Sequence, residues 1–288
     1  MFLLTITLAS LLLACSAEQT STPTATQPQS TDIPTLLSNP FKLYGEMVPD
    51  VTYCTMDNLP QKADLYFPDS GGPWPALLYV HGGSWMHGDK SEALMFARGL
   101  AAQGYLVASI NYRLYPEGKF PAMIEDVKCA VRWLRARASD YNLDPNHIAA
   151  IGPSAGGHLV SLLGTSDQST RWDVGEYMDQ SSRVQAVIAM APVTDLTQNF
   201  PNADIEAMRH VGFGEDNVVQ AGPITHVTAD DPPFLLIHGD QDTLVPYEQS
   251  QLMYDRLLQM NVPAQLIIVE NAGHSFLVPD GDSTPTLA

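Results

Sequence analysis

The sequence predicts an α/β protein, a single domain built on a mostly parallel, doubly wound sheet of eight strands. Three observations carry that expectation. Apolar runs of strand length alternate with segments of helical periodicity. The runs in the middle of the chain are continuously apolar, the pattern of strands buried on both faces. Most connections between them are short, as in crossover-linked parallel strands. Of the 288 residues, 45% are apolar, enough for one large core.

The elements follow in order. "VTYCT" (51–55) and "ADLYF" (63–67) read as two strands joined by a turn at "DNLPQ". "PALLYVH" (75–81) is the first continuous apolar run. A helix over 91–104 follows, closed by Gly104, and then the strand "YLVASIN" (105–111). The segment 120–139 places Ile124, Val127, Val131 and Leu134 at helical spacing, with Lys and Arg on the other face. "HIAAIG" (147–152) is a strand, and a helix starts at Ala155. Then come the strands "VQAVIAMA" (184–191) and "FLLIHG" (234–239), a helix from Pro246 to Met260, and the strand "AQLIIVE" (264–270). The stretches 165–183 and 194–233 are long for plain connections and are expected to wall a pocket.

Ahead of the domain, residues 1–14 form an apolar run of signal length, too short to span a bilayer. The run "LLAC" resembles a bacterial lipobox, which makes Cys15 the expected lipid-bearing residue, although no Lys or Arg precedes the run. A plain secretory signal cut elsewhere is the alternative. Residues 15–38 are rich in Ser, Thr, Pro and Gln and read as a tether reaching about 25 Å. The domain is then 39–288. This organisation predicts a protein of the bacterial cell envelope. It would be anchored in the membrane by lipid; Ser16 rather than Asp after the cysteine resembles lipoproteins that bacteria with two membranes sort outward, which implies the outer membrane.

The net charge of −18 repels polyanions and argues against nucleic acid as a partner. The eight His show no ligand spacing with Cys or carboxylates, so no metal site is expected. Cys54 and Cys129 are free to pair in an oxidising compartment, but sequence does not give their separation.

The chemistry-bearing residues sit at strand ends. Gly152-Pro153-Ser154-Ala155-Gly156 is a G-x-S-x-G between a buried strand and a helix. There the serine occupies a strained turn and its hydroxyl stands clear of the sheet edge. The amide of Ala155 and the helix N-terminus face the same point. Asp242 lies just past the strand "FLLIHG" and His274 just past "AQLIIVE". The order Ser, Asp, His supplies a nucleophile, an orienting acid and a base, respectively. Upstream, His81-Gly82-Gly83-Ser84-Trp85 closes the third strand, and its glycines let the amides of Gly83 and Ser84 turn toward the serine.

Taken together, "HGGSW", "GDK", "NYRL", "FPAMIEDVKCAVRWLR", "GPSAGGHL", "HGDQDTLVP" and "GHSF" resemble the esterase/lipase branch of the α/β-hydrolase superfamily. The likeness runs from about Asp50 to Phe276. It is strongest to bacterial feruloyl and acetyl esterase-like enzymes and hormone-sensitive-lipase-like carboxylesterases. The resemblance implies hydrolysis of small carboxylic esters through an acyl-enzyme, without cofactor. Ser154, Asp242 and His274 would be catalytic, and the amides of Gly83, Ser84 and Ala155 an oxyanion hole. Ser84 stands where many relatives have a third glycine, and the polar tail after His274 implies a missing or truncated final helix. Trp85 is expected either against the substrate or at the rim of its pocket.

Neighbouring residues have plainer expected roles. Asp240 is the rival to Asp242. His81 and His238 are expected to brace their loops, His158 to pack, and Asp126 to pair with Arg113. Two other functions remain open: a serine exopeptidase or formamidase on the same fold, and a surface binding protein that uses the fold as a scaffold. Oligomeric state is not legible in the sequence.

Overall fold

The computed structural model describes residues 45–276 and the backbone of 286–287. The expected signal (1–14), Cys15, the tether (15–38) and the first residues of the domain (39–44) lie outside the described residues, as does most of the tail.

The eight expected strands are β1 (Met47–Met56), β2 (Leu59–Tyr66), β3 (Trp74–Val80), β4 (Leu106–Ile110), β5 (Leu143–Pro153), β6 (Ala186–Met190), β7 (Phe234–Gly239) and β8 (Ala264–Glu270). A ninth, the two-residue β9 (Thr286–Leu287), pairs antiparallel with β8, an element the polar tail does not announce. The sheet order is β1-β2-β4-β3-β5-β6-β7-β8-β9. β1 and β2 form an antiparallel hairpin, β2 pairs antiparallel with β4, and the run from β4 through β8 is parallel. The hairpin turn is tighter than expected. Asp57 and Asn58 both take positive φ (52° and 63°), the geometry of a two-residue turn that follows strand twist. Strand β2 therefore begins at Leu59.

Every residue of β4 and of β7 is buried, so both faces of the sheet are covered. The helices are α1 (Leu94–Ala101), α2 (Ala122–Ala136), α3 (Ala155–Thr165), α4 (Ala203–Met208), α5 (Val218–Ala221) and α6 (Glu248–Gln259). The first helix is shorter than expected because residues 90–93 form a 3-10 turn, capped by Asp89 accepting from the Ser91 amide. Gly104, at φ 96°, turns the chain into β4 as expected.

The basic face of α2 is not solvated as its periodicity implies. Lys128 and Arg132 are both 1% exposed. They share the carboxylate of Asp173, at 3.1 and 2.7 Å, and donate to the carbonyls of Ser166 and Glu176. Two cations with one carboxylate and several carbonyl acceptors thus clamp the 166–176 segment onto the helix. Asp126 pairs with Arg113 as expected: the guanidinium meets the carboxylate at 2.9–3.0 Å and the Arg113 amide donates to it at 2.7 Å. Burial pushes Asp126 up to about 6 despite the cation beside it.

Cys54 on β1 and Cys129 on α2 form a disulfide with Cα atoms 6.4 Å apart and a sequence separation of 75. A loop of that length restricts the unfolded chain by about 4 kcal/mol in the chain-entropy account. The Cys54→Ala/Cys129→Ala protein should lose stability of that order in urea unfolding. A loss below about 1 kcal/mol would show that the bridge adds little to the packing around it.

Candidate active site

Strand β5 ends at Pro153 and α3 begins at Ala155, leaving Ser154 alone in the turn at φ 54°, ψ −121°. A non-glycyl residue holds that conformation only where its surroundings over-determine it. Here its amide donates to the Met190 carbonyl at the end of β6 at 2.7 Å, and its carbonyl accepts from His158 in the first turn of α3 at 2.9 Å. The glycines are required by close approach. A Cβ on Gly156 would lie 2.0 Å from the Val80 carbonyl oxygen, and one on Gly152 would lie 2.6 Å from both Val80 and Gly156 backbone. The small residues of G-P-S-A-G therefore let strand and helix meet tightly enough to hold the serine out.

The loop after β3 abuts this turn, because a Cβ on Gly82 would sit 3.4 Å from Ser154 Cβ. Gly83 takes φ 103°, and Ser84 and Trp85 take φ 50° and 60°. The loop's carbonyls are engaged: that of Gly83 accepts from Met86 and His87, and that of Trp85 from Tyr115. Among the described residues the amides of Gly83, Ser84 and Ala155 donate to no protein acceptor. His81 braces the loop as expected, its Nδ1 2.7 Å from the Gly82 carbonyl and its ring stacked 4.5 Å from Tyr112. The Tyr112 hydroxyl donates to the His81 carbonyl at 3.1 Å, a role that "NYRL" did not reveal.

Asp242 follows β7 and His274 follows β8. The carboxylate of Asp242 is an acceptor for four N–H groups. Oδ1 receives the amides of Leu244 and Val245, each at 2.9 Å. Oδ2 receives His274 Nδ1 at 2.6 Å and His238 Nε2 at 3.1 Å. Burial alone would raise its pKa, but the bonds from His238, His274 and Val245 outweigh burial and hold the carboxyl well below the usual range. His238, fully buried, faces two oxygens with Nε2 (Asp242 and, at 3.0 Å, the Val245 carbonyl), so that nitrogen carries a proton. Its Nδ1 accepts from Ser250 Oγ of α6 at 2.7 Å, a supporting residue that no sequence motif marks. The His274 loop is seated on the end of β7: Gln241 N donates to the Ala272 carbonyl at 2.9 Å, and a Cβ on Gly239 would lie 2.2 Å from it.

The structure thus brings His274 and Asp242 into contact and places the loop of Gly82 against Ser154. It joins Asp240 to neither: no hydrogen bond links Asp240 to His274, and its Oδ1 is buried without a partner. Among the described residues no hydrogen bond joins Ser154 Oγ to His274. Trp85, expected at a substrate pocket or its rim, is 0% exposed. Its indole packs in the core beneath the loop, edge-on to His158 and Phe213, and presents no surface to a ligand. Among the described residues no group of three His, Cys, Asp or Glu side chains could hold a metal ion.

A mostly parallel sheet of this order, with a strand–turn–helix elbow after β5 and carboxylate and imidazole loops after β7 and β8, defines the α/β-hydrolase class. The chain belongs to the BD-FAE family of its esterase/lipase branch, whose profile matches residues 63–257. It is 35% identical over 227 residues to Esterase LipC of Mycobacterium tuberculosis, covering 74% of this chain and 55% of that protein. The chain spans about half the length of the curated relatives it matches. Among solved structures it is similar to a truncated carbohydrate esterase from gut microbiota, with TM-score 0.72, 27% identity, and coverage of 81% of this chain and 90% of that one. It is also similar to esterase 2 of Thermogutta terrifontis in a form phosphorylated by paraoxon, with TM-score 0.69, 26% identity, and coverage of 82% and 86%. That esterase is also known with propionate or butyrate bound.

Proposed function

We propose that the protein is a serine carboxylic-ester hydrolase that acts through an acyl-enzyme on short-chain acyl esters of acetyl or feruloyl type. The observation that carries this reading is the ionised, fourfold-bonded Asp242 holding His274 Nδ1 at 2.6 Å, at the same sheet edge as the strained Ser154 turn. Asp242 keeps the Nδ1 proton in place, which leaves Nε2 as the basic nitrogen. In the substrate complex His274 Nε2 closes on Ser154 Oγ, a bond that catalytic sites often complete only with substrate present.

Ser154 Oγ then attacks the acyl carbon and passes its proton to His274 Nε2. The carbonyl oxygen becomes an oxyanion that accepts from the amides of Gly83, Ser84 and Ala155. His274 returns the proton to the leaving alcohol as the ester C–O bond breaks. Water repeats the attack on the acyl-enzyme, giving up a proton to His274, which hands it to Ser154 Oγ as the acyl C–O bond breaks and the free acid leaves.

The propionate- and butyrate-bound forms of the Thermogutta esterase support small acyl groups. A series of p-nitrophenyl esters tests this: kcat/KM should fall at least about tenfold between butyrate and decanoate, with methyl ferulate and the matching anilides as further arms. Faster cleavage of anilides than of esters would point to an exopeptidase or formamidase, and no reaction with a fluorophosphonate to a binding scaffold.

We also propose that residues 1–14 export the chain, that Cys15 carries lipid in the cell envelope, and that 39–288 is the catalytic domain on the tether 15–38. The Cys54–Cys129 disulfide supports an oxidising compartment. Incorporation of a labelled fatty acid should be lost in Cys15→Ala; labelling that survives the substitution defeats the anchor.

A further inference from the structure

The loop that carries the free amides of Gly83 and Ser84 is not held by its own hydrogen bonds alone. Two consecutive non-glycyl residues in it, Ser84 and Trp85, are left-handed. Such a pair persists only where something outside the loop fixes it. Outside it the Tyr115 amide holds the Trp85 carbonyl, at 2.9 Å, and His158 holds the Trp85 side chain. The Trp85 indole Nε1–H donates to His158 Nδ1 at 3.1 Å, with the two rings edge-on at 5.2 Å. On its other side His158 Nε2 donates to the Ala221 carbonyl at 2.8 Å. Both side chains are 0% exposed.

The hydrogen bonds set the tautomer. Nδ1 must accept, because the indole can only donate, and Nε2 must carry the proton. Burial pushes the imidazole down to about 4, so it stays neutral and able to accept near pH 7. His158 lies one turn along α3 from Ser154, on the same rigid helix. Phe213, in the turn 209–213 of the insertion after β6, packs edge-on against both Trp85 (4.9 Å) and His158 (5.4 Å). Three parts of the site therefore meet at one buried joint: the oxyanion loop through Trp85, the serine helix through His158, and the insertion through Ala221 and Phe213.

We propose that His158 is a positioning residue that fixes the amides of Gly83 and Ser84 relative to Ser154, acting through the indole of Trp85. The inference rests on the esterase reading, since the register of these amides matters only if an acyl oxygen binds there. His158 touches no reacting atom. It ties the loop's register to the helix that carries the nucleophile, so donors and nucleophile keep one geometry.

The test is a set of full-length variants, Trp85→Phe, His158→Leu, His158→Gln and the Trp85→Phe/His158→Leu double, assayed with p-nitrophenyl acetate. Trp85→Phe and His158→Leu should each lower kcat about 10- to 100-fold with KM within about threefold, because donors displaced by a fraction of an ångström fail the transition state more than the ground state. The double variant should be no slower than the slower single, since both cut the same bond. His158→Gln should recover much of the rate, as a carboxamide can accept from the indole and donate to Ala221. The Trp85 indole proton, assigned by its loss in Trp85→Phe, should move upfield in His158→Leu and return in His158→Gln.

A folded Trp85→Phe or His158→Leu enzyme with kcat within about threefold of wild type, or additive losses in the double, would overturn the proposal. If His158→Leu does not fold, Trp85→Phe decides alone. Failure of the esterase reading looks different. There the wild-type protein hydrolyses no ester, while the indole resonance still reports on the bond to His158.

Discussion

Replacing Ser154 by Ala should lower ester turnover by about 10^5- to 10^6-fold while leaving the fold and its stability unchanged. The first half follows from the acyl-enzyme: without Oγ no covalent intermediate forms, and only substrate binding and the amides at Gly83, Ser84 and Ala155 remain to assist direct attack by water. The second half follows from the structure. The Ser154 hydroxyl has no hydrogen-bond partner among the described residues, so its removal breaks nothing. The turn is held by backbone, through the bonds to Met190 and His158, and alanine carries the same Cβ into the same φ of 54°. Melting should therefore agree within about 0.5 kcal/mol, and reaction with a fluorophosphonate should vanish. Turnover retained within a factor of about ten, after exclusion of contaminating esterase, would remove Ser154 from the mechanism.

Where sequence was informative, it was because local chemistry and topology made the same demand. Gly152, Ser154 and Gly156 are recognisable because only small residues let β5 and α3 approach to the distances observed. Asp242 and His274 are recognisable because each follows a continuous apolar run at the carboxyl edge of a parallel sheet. The unreadable parts depend on contacts between distant segments. Periodicity gave Lys128 and Arg132 to solvent, because it cannot know that residues 166–176 return to cover them with Asp173 and backbone carbonyls. The two cysteines could be counted but not measured. Trp85 read as a pocket residue because an aromatic in a catalytic loop is ambiguous, and its partner His158 is 73 residues away. Ser250 serves through one hydrogen bond, and Tyr112 through its hydroxyl and a ring stacked on His81; such contacts leave no pattern in a chain.

Asp242→Asn should lower kcat about 10^4-fold with KM little changed, and the reason lies in the four donors around the carboxylate. Oδ1 faces the amides of Leu244 and Val245; Oδ2 faces His238 Nε2 and His274 Nδ1. Every one of these groups is a donor, so an asparagine cannot be satisfied in either orientation. With its NH2 toward the amides, the backbone donors of Leu244 and Val245 lose their acceptor and the loop after β7 loosens. With its NH2 toward the imidazoles, it donates to His274 Nδ1, moves that ring's proton to Nε2, and blocks the nitrogen that must accept from Ser154. The second orientation keeps the backbone bonds, so the defect should be mainly catalytic. The stability difference from wild type should also depend on pH with a definite sign. Asp242 is depressed in the folded state, so its ionisation stabilises the fold fully above about pH 5 and is lost as pH falls through the carboxylate range toward the folded value. The gap between wild type and Asp242→Asn in urea unfolding should therefore narrow on acidification. Asp240→Asn is the control, because that carboxylate bonds neither His274 nor His238 and its loss should cost less than about threefold in kcat. Equal losses at Asp240 and Asp242, or an Asp242→Asn enzyme within about tenfold of wild type, would mean that another group orients His274 during turnover.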